Sequence, residues 1–244
     1  MEYFSRNNFD TIHNFRIKHA THVMNTLQTL FFQFLFTFGM VTIVSFNEAA
    51  YITTLTNAMR LVSFGGIGGL LTIFYMSACE RKTYPQLAVF TFFETMVVCA
   101  ASVMYGQDVV MMALLATFGI VTGLGIYAMT TRTNYTGYMG FLFSCLSCLL
   151  LMSLLNIFLG SQIVRIFELY VGTLLFFGYI VFDVQYYLTE HANKRLLNED
   201  DLHIEAALNI YLDVINIFLR LMEIISSNKD NNSNRSNRKR RFDF

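Results

Sequence analysis

A chain of 244 residues that is 55% hydrophobic and only 14% charged has too little polar surface to wrap a water-soluble globule of its size. That composition excludes a disordered chain, a disulfide-built secreted domain and an ordinary cytosolic enzyme, and it puts most residues against lipid. Basic and acidic residues balance at 17 each, yet Lys229 to Phe244 holds six basic and two acidic side chains, so the remainder is mildly acidic. A basic tail on such a body suits an anionic membrane surface or a protein partner, and not nucleic acid.

The first 22 residues are polar and carry Arg6, Arg16, Lys18 and three histidines, so a cytosolic arm is expected, with the first apolar run acting as an uncleaved insertion signal. Six runs near the 20 or so residues needed to cross a bilayer follow: Val23 to Phe46, Ile52 to Met76, Leu87 to Tyr105, Asp108 to Thr130, Gly137 to Leu159 and Ile163 to Leu188. Tyrosines near the run ends supply an interfacial belt in a chain without tryptophan. Arg81 and Lys82, then Arg132, then Lys194 and Arg195 occupy alternate joints, the charge bias of a cytosolic N-terminus.

A seventh, more polar run covers Ala206 to Ile225. A full crossing there would put the basic tail on the far side, so charge favours a segment that re-enters. The tail also carries sequons at Asn231 and Asn234, whose glycosylation would report a lumenal location. The expected architecture is an all-α membrane bundle: an arm over residues 1–22, a domain over 23–225 with six spanning helices around a central seventh, and a disordered basic tail over 226–244.

Ionisable groups inside spans are costly and point to function. The most informative are Arg60, Glu94, Arg165, Glu168, Asp183 and Asp213. Asp183 lies five residues before the end of the sixth run and Asp213 seven after the start of the seventh, and both runs meet the joint at Thr189 to Glu205. Antiparallel neighbours would bring the two carboxylates side by side. Asn209, Asp213, Asn216, Arg220 and Glu223 form one polar stripe at steps of four and three, while Glu168, Gly172, Phe176, Tyr179 and Asp183 share a face of the sixth run.

Two carboxylates at low dielectric share a proton more readily than both ionise, which makes them a pH-dependent latch between helices. Deprotonated, they offer oxygen ligands to a hard cation such as Ca²⁺. The plainer alternative is that each aspartate bonds a backbone group or an asparagine on a neighbouring helix. Glu94 could line a cation path or pair with Arg60, or simply join helices; Arg60 also fits snorkelling to the interface. Cys145 and Cys148 form a CxxC inside a spanning run, where small packing residues are the better explanation, and Gly65, Gly66, Gly68 and Gly69 read as close helix contact. The histidines have no zinc-ligand partners at suitable spacing.

The stretch FELYVGTLLFFGYIVFDVQ, Phe167 to Gln185, followed by an acidic joint and ALNIYLDVINIFLRLMEII from Ala207, resembles the Bax inhibitor-1 family, looking closest to its eukaryotic, plant-type members. Asn8-Phe9-Asp10, Asn14-Phe15-Arg16, the polar joint after Tyr75, Glu94, and Tyr135 through Leu151 extend the resemblance over most of residues 8 to 228. It implies a protein of the endoplasmic reticulum that suppresses cell death and leaks Ca²⁺ in a pH-sensitive way. The family's carboxylate sensor would fall on Asp183 and Asp213, and its regulatory tail on Lys229 to Arg241, including Arg238, Lys239, Arg240 and Arg241.

The departures are Val184 where the family has threonine, Thr95 where glycine is common after the third-run glutamate, Arg132 in place of a basic run, and an asparagine-rich tail. The expected partners are membrane lipid, calcium as the transported ion and other membrane death regulators through the tail. Neither enzyme activity nor a resident cofactor is expected. The competing readings are a membrane scaffold for death regulators or lipid-modifying enzymes and, more weakly, an intramembrane enzyme using the two aspartates as acid and base.

Overall fold

The computed structural model describes the backbone of residues 2–79, 82–188 and 202–242, and the side chains of residues 18–79, 82–188 and 202–229. Every regular element among them is helical: α1 (Glu2–Phe46), α2 (Glu48–Thr56), α3 (Ala58–Ala78), α4 (Tyr84–Ser102), α5 (Gln107–Thr130), α6 (Met139–Leu159), α7 (Gln162–Leu188) and α8 (Leu202–Phe242), with a 3₁₀ turn at Thr136–Tyr138 leading into α6. Six are long and apolar enough to cross a membrane: the Lys18–Phe46 part of α1, α3, α4, α5, α6 and α7. Arg81, Lys194, Arg195 and the tail residues Arg238, Lys239, Arg240 and Arg241 lie outside the described side chains.

The second apolar run is divided. Asn57, at φ −107°, separates α2 from α3, and its side-chain amide donates to Thr53 O at 2.9 Å, so the crossing starts at Ala58 and α2 buries none of its residues. An asparagine that bonds its own backbone competes with helix continuation, a signal overridden by the apolar pattern of Ile52 to Met76. At the far end of α6, Gly160 adopts φ 59°, a left-handed cap that an L side chain would strain.

Helix α8 is the centre. Buried residues occur on all its faces, among them Ala206, Ala207, Tyr211, Ile215, Ile217, Phe218 and Met222, and it packs chiefly against α1, α4, α5 and α7. Helices α3 and α6 form an outer layer on α4 and α7. This arrangement explains a helix too polar to face lipid: its polar stripe is enclosed by its neighbours.

Helix α8 does not re-enter. Its first turns meet Lys82 and Tyr84, through Glu205 and His203, whereas Glu223 meets Arg165 at the start of α7 and Lys229 reaches Asp108 at the start of α5. These contacts lie at opposite ends of the bundle, so α8 crosses completely. No proline or glycine interrupts the helix from Leu202 to Phe242. Reporters fused to the two termini will therefore lie on opposite faces of the membrane, read by protease protection in sealed vesicles; both on one face would contradict a full crossing.

The glycines of α3 seat it on α4. A Cβ on Gly65 would stand 2.8 Å from Phe93 O, and one on Gly68 about 2.5 Å from the Phe93 ring. The first contact is with backbone, which cannot rotate away. Gly65→Ala is expected to cost about 1–3 kcal/mol in a detergent unfolding titration, while Gly66→Ala, which meets nothing, should be neutral.

Candidate functional site

Because α7 and α8 run antiparallel, positions at equal depth face each other. Asp183 and Asp213 are each 6% exposed, and their carboxyl groups lie within hydrogen-bonding range of one another. Asp213 Oδ2 is buried and receives no hydrogen bond from any other described group. Two ionised carboxylates are acceptors only, so a hydrogen bond between the pair forms only when one of them carries a proton. The side-by-side placement expected from depth is present. Among the described residues no backbone group or asparagine bonds either aspartate, and Asn209 and Asn216 donate to Tyr187 Oη and Leu212 O.

One turn toward the α7–α8 joint, Asn209 Nδ2 donates to Tyr187 Oη at 2.7 Å, and Tyr187 donates to Glu205 Oε1 at 3.1 Å. Lys82 Nζ stands 2.6 Å from Glu205 Oε2. Helical spacing aligns these groups with the pair, since Tyr187 follows Asp183 by four residues and Asn209 precedes Asp213 by four. The result is a polar cap between the acid pair and one membrane face. The sequence places Lys82 in a charged joint but assigns Lys82, Tyr187 and Glu205 no part in the site; the step of four from Asp213 through Asn209 to Glu205 is the signal that extends the stripe.

On the other side of the pair the stripe opens into a cavity of about 550 Å³ lined by Asn156, Arg165, Glu168, Asn216, Arg220 and Glu223 among others. Asn216 donates to Leu212 O of its own helix at 2.9 Å and lies less than one turn from Asp213. Arg165 pairs with Glu223 at 2.8 Å. Arg220 donates to Glu168 O at 3.0 Å and lies over the Phe176 ring at 5.3 Å. It fits because residue 172 is glycine: a Cβ there would overlap the guanidinium.

The remaining predicted residues stand apart. Glu94 is half-buried at the α3–α4 contact, where its Oε2 lies 3.8 Å from the position a Cβ on Gly69 would take. Arg60 is exposed near the start of α3, nine residues and roughly 13 Å of helix from Gly69. No ion pair joins Arg60 to Glu94 or to either aspartate among the described residues, so Arg60 has the placement of a snorkelling side chain. All four cysteines are free.

Two further polar clusters hold the site's walls. Thr37 Oγ1 of α1 is 2.9 Å from Thr95 Oγ1 of α4 and 2.8 Å from Tyr211 Oη of α8, so the hydroxyl at position 95 joins three helices where a glycine could not. Gln185, two residues past Asp183, donates to Thr133 O at 2.9 Å and Ala128 O at 3.3 Å and accepts from Tyr135 N at 2.7 Å. It thereby satisfies backbone of the α5–α6 joint that no helix ladder reaches.

Comparison with known proteins places the chain in a family. The family described as "Inhibitor of apoptosis-promoting Bax1" matches residues 19–230. Relatives include Protein lifeguard 4 of Mus musculus, 29% identical over 65% of this chain and 66% of its own, and a Golgi anti-apoptotic protein of vaccinia virus strain Lister, 26% identical over 68% of both. The chain thus spans about two thirds of each of those relatives. A Probable Bax inhibitor 1 of Paralichthys olivaceus is 27% identical over 93% of this chain and 96% of its own. The match takes in every spanning helix and the acid pair, and the chain is a multi-pass membrane member of the Bax inhibitor-1 family.

Proposed function

We propose that this protein suppresses cell death from an internal membrane, the endoplasmic reticulum, by acting as a pH-sensitive calcium leak or exchanger gated by Asp183 and Asp213. The observation that carries the reading is the carboxyl–carboxyl contact between α7 and α8, buried in the bundle with one oxygen left without another donor. Family membership supports the link to cell death, as do relatives named as an anti-apoptotic protein and a Bax inhibitor. The Golgi name of the viral relative makes the neighbouring compartment the alternative address.

The latch works through the shared proton. While it is held, the carboxyls attract and α7 stays packed on α8. Once it is lost, two negative charges repel at low dielectric, and the freed oxygens suit a hard divalent ion. The bonded cap of Lys82, Glu205, Tyr187 and Asn209 on one side and the polar vestibule on the other would then be the two approaches to the pair. Calcium flux across pH in liposomes carrying the purified protein tests the reading. Folded wild-type protein that passes no calcium at any pH would refute it and favour a scaffold acting through partners.

A further inference from the structure

The vestibule on the tail side of the acid pair contains a charge that the latch does not use. Arg165 is paired with Glu223. Arg220 has no carboxylate within ion-pair distance among the described residues; its recorded contacts are the Glu168 carbonyl, the face of Phe176 and the space left by Gly172. The guanidinium is therefore held by geometry, fixed in the wall of a cavity whose inner end, Asn216, is less than one turn from Asp213. The carboxylates of Glu168 and Glu223 also line that wall and offset part of its field.

A fixed positive charge beside a cation route raises the energy of an approaching ion in proportion to the ion's charge, so a divalent ion meets twice the barrier of a monovalent one. We propose that Arg220 is the charge-selective element of the tail-side vestibule, holding back divalent relative to monovalent cations on their way to the acid pair. Gly172 serves it as the seat that lets the guanidinium lie against α7. The inference rests on the calcium-leak reading for its transport consequence and on geometry alone for the local positive potential.

The test separates the two. In full-length protein with its four cysteines replaced by alanine, Asn216→Cys is labelled from the tail side with methanethiosulfonates of equal size and opposite charge, sulfonatoethyl and trimethylammonioethyl. The ratio of anionic to cationic labelling rates should fall about fivefold on adding Arg220→Gln, and likewise with Arg220→Met, which keeps the apolar stem against Phe176 should the glutamine variant not fold. Arg220→Lys should keep the ratio within about twofold.

In liposomes bearing the native-cysteine protein, Arg220→Gln should raise calcium relative to potassium flux about threefold, with Arg220→Lys close to wild type. An unchanged labelling ratio in the folded neutral variants overturns the proposal, as does a cysteine at 216 unreactive to both reagents. A labelling ratio that shifts while the calcium-to-potassium ratio of a conducting protein does not move overturns the selectivity role. A wild-type protein that conducts nothing refutes the leak reading, and the labelling arm still decides whether Arg220 sets the vestibule potential.

Discussion

Calcium release from liposomes carrying the wild-type protein is expected to rise about tenfold as pH increases through the titration of the Asp183–Asp213 pair, and Asp213→Asn is expected to flatten that rise. The sign follows from the contact itself. In the packed arrangement the carboxyls meet, which needs one proton between them. Acid therefore favours the packed, closed state. Alkali leaves like charges at hydrogen-bond distance, where repulsion separates α7 from α8. A tenfold change asks only about 1.4 kcal/mol of differential stabilisation, well within what two buried carboxylates supply.

An asparagine at 213 donates a permanent N–H to Asp183, so the latch stays closed at every pH and flux is low and flat. Asp183→Asn, with the amide on the other helix, should behave alike. Both variants keep side-chain volume and a hydrogen bond, so folding, checked by thermal unfolding in detergent, should survive. A folded variant with the wild-type pH profile would exclude the pair as the sensor.

Gln185→Leu is expected to destabilise the protein by about 3 kcal/mol. One amide serves three backbone groups of the α5–α6 joint, two carbonyls and one N–H. Each such bond contributes about 1 kcal/mol net, and leaving a buried partner unsatisfied costs at least as much. Gln185→Glu keeps the oxygen for Tyr135 N but sets an acceptor against two carbonyl oxygens at a buried position, so its cost should be at least that of leucine. Thermal unfolding in one detergent orders the three. A leucine variant within about 0.5 kcal/mol of wild type would mean that water replaces the amide at that joint.

Position two residues from Asp183 ties these predictions together. The α5–α6 joint is anchored to α7 beside the latch, so a shift of α7 on deprotonation must either carry the joint with it or break the Gln185 bonds.

The amino-acid sequence alone determined the class of protein, the number of long apolar spans, the two aspartates and the polar stripe on which one of them sits. Those features are written in local quantities: run length against bilayer thickness, the 3.6-residue period, and the depth of a carboxylate from a helix end. The division at Asn57 was also local, but one asparagine is a weak signal inside a run, Ile52 to Met76, long enough to read as a single span.

Only the tertiary structure decided that α8 crosses without re-entering, because loop charge reports on surfaces and says nothing of a helix whose polar stripe is shielded by α1, α4, α5 and α7. It also separated Arg60 from the acids, joined Asn209 to Tyr187 and Tyr187 to Glu205, and laid Arg220 over Gly172. Such contacts join residues far apart in the chain, and they depend on which helix faces which and how closely, which packing settles and periodicity cannot.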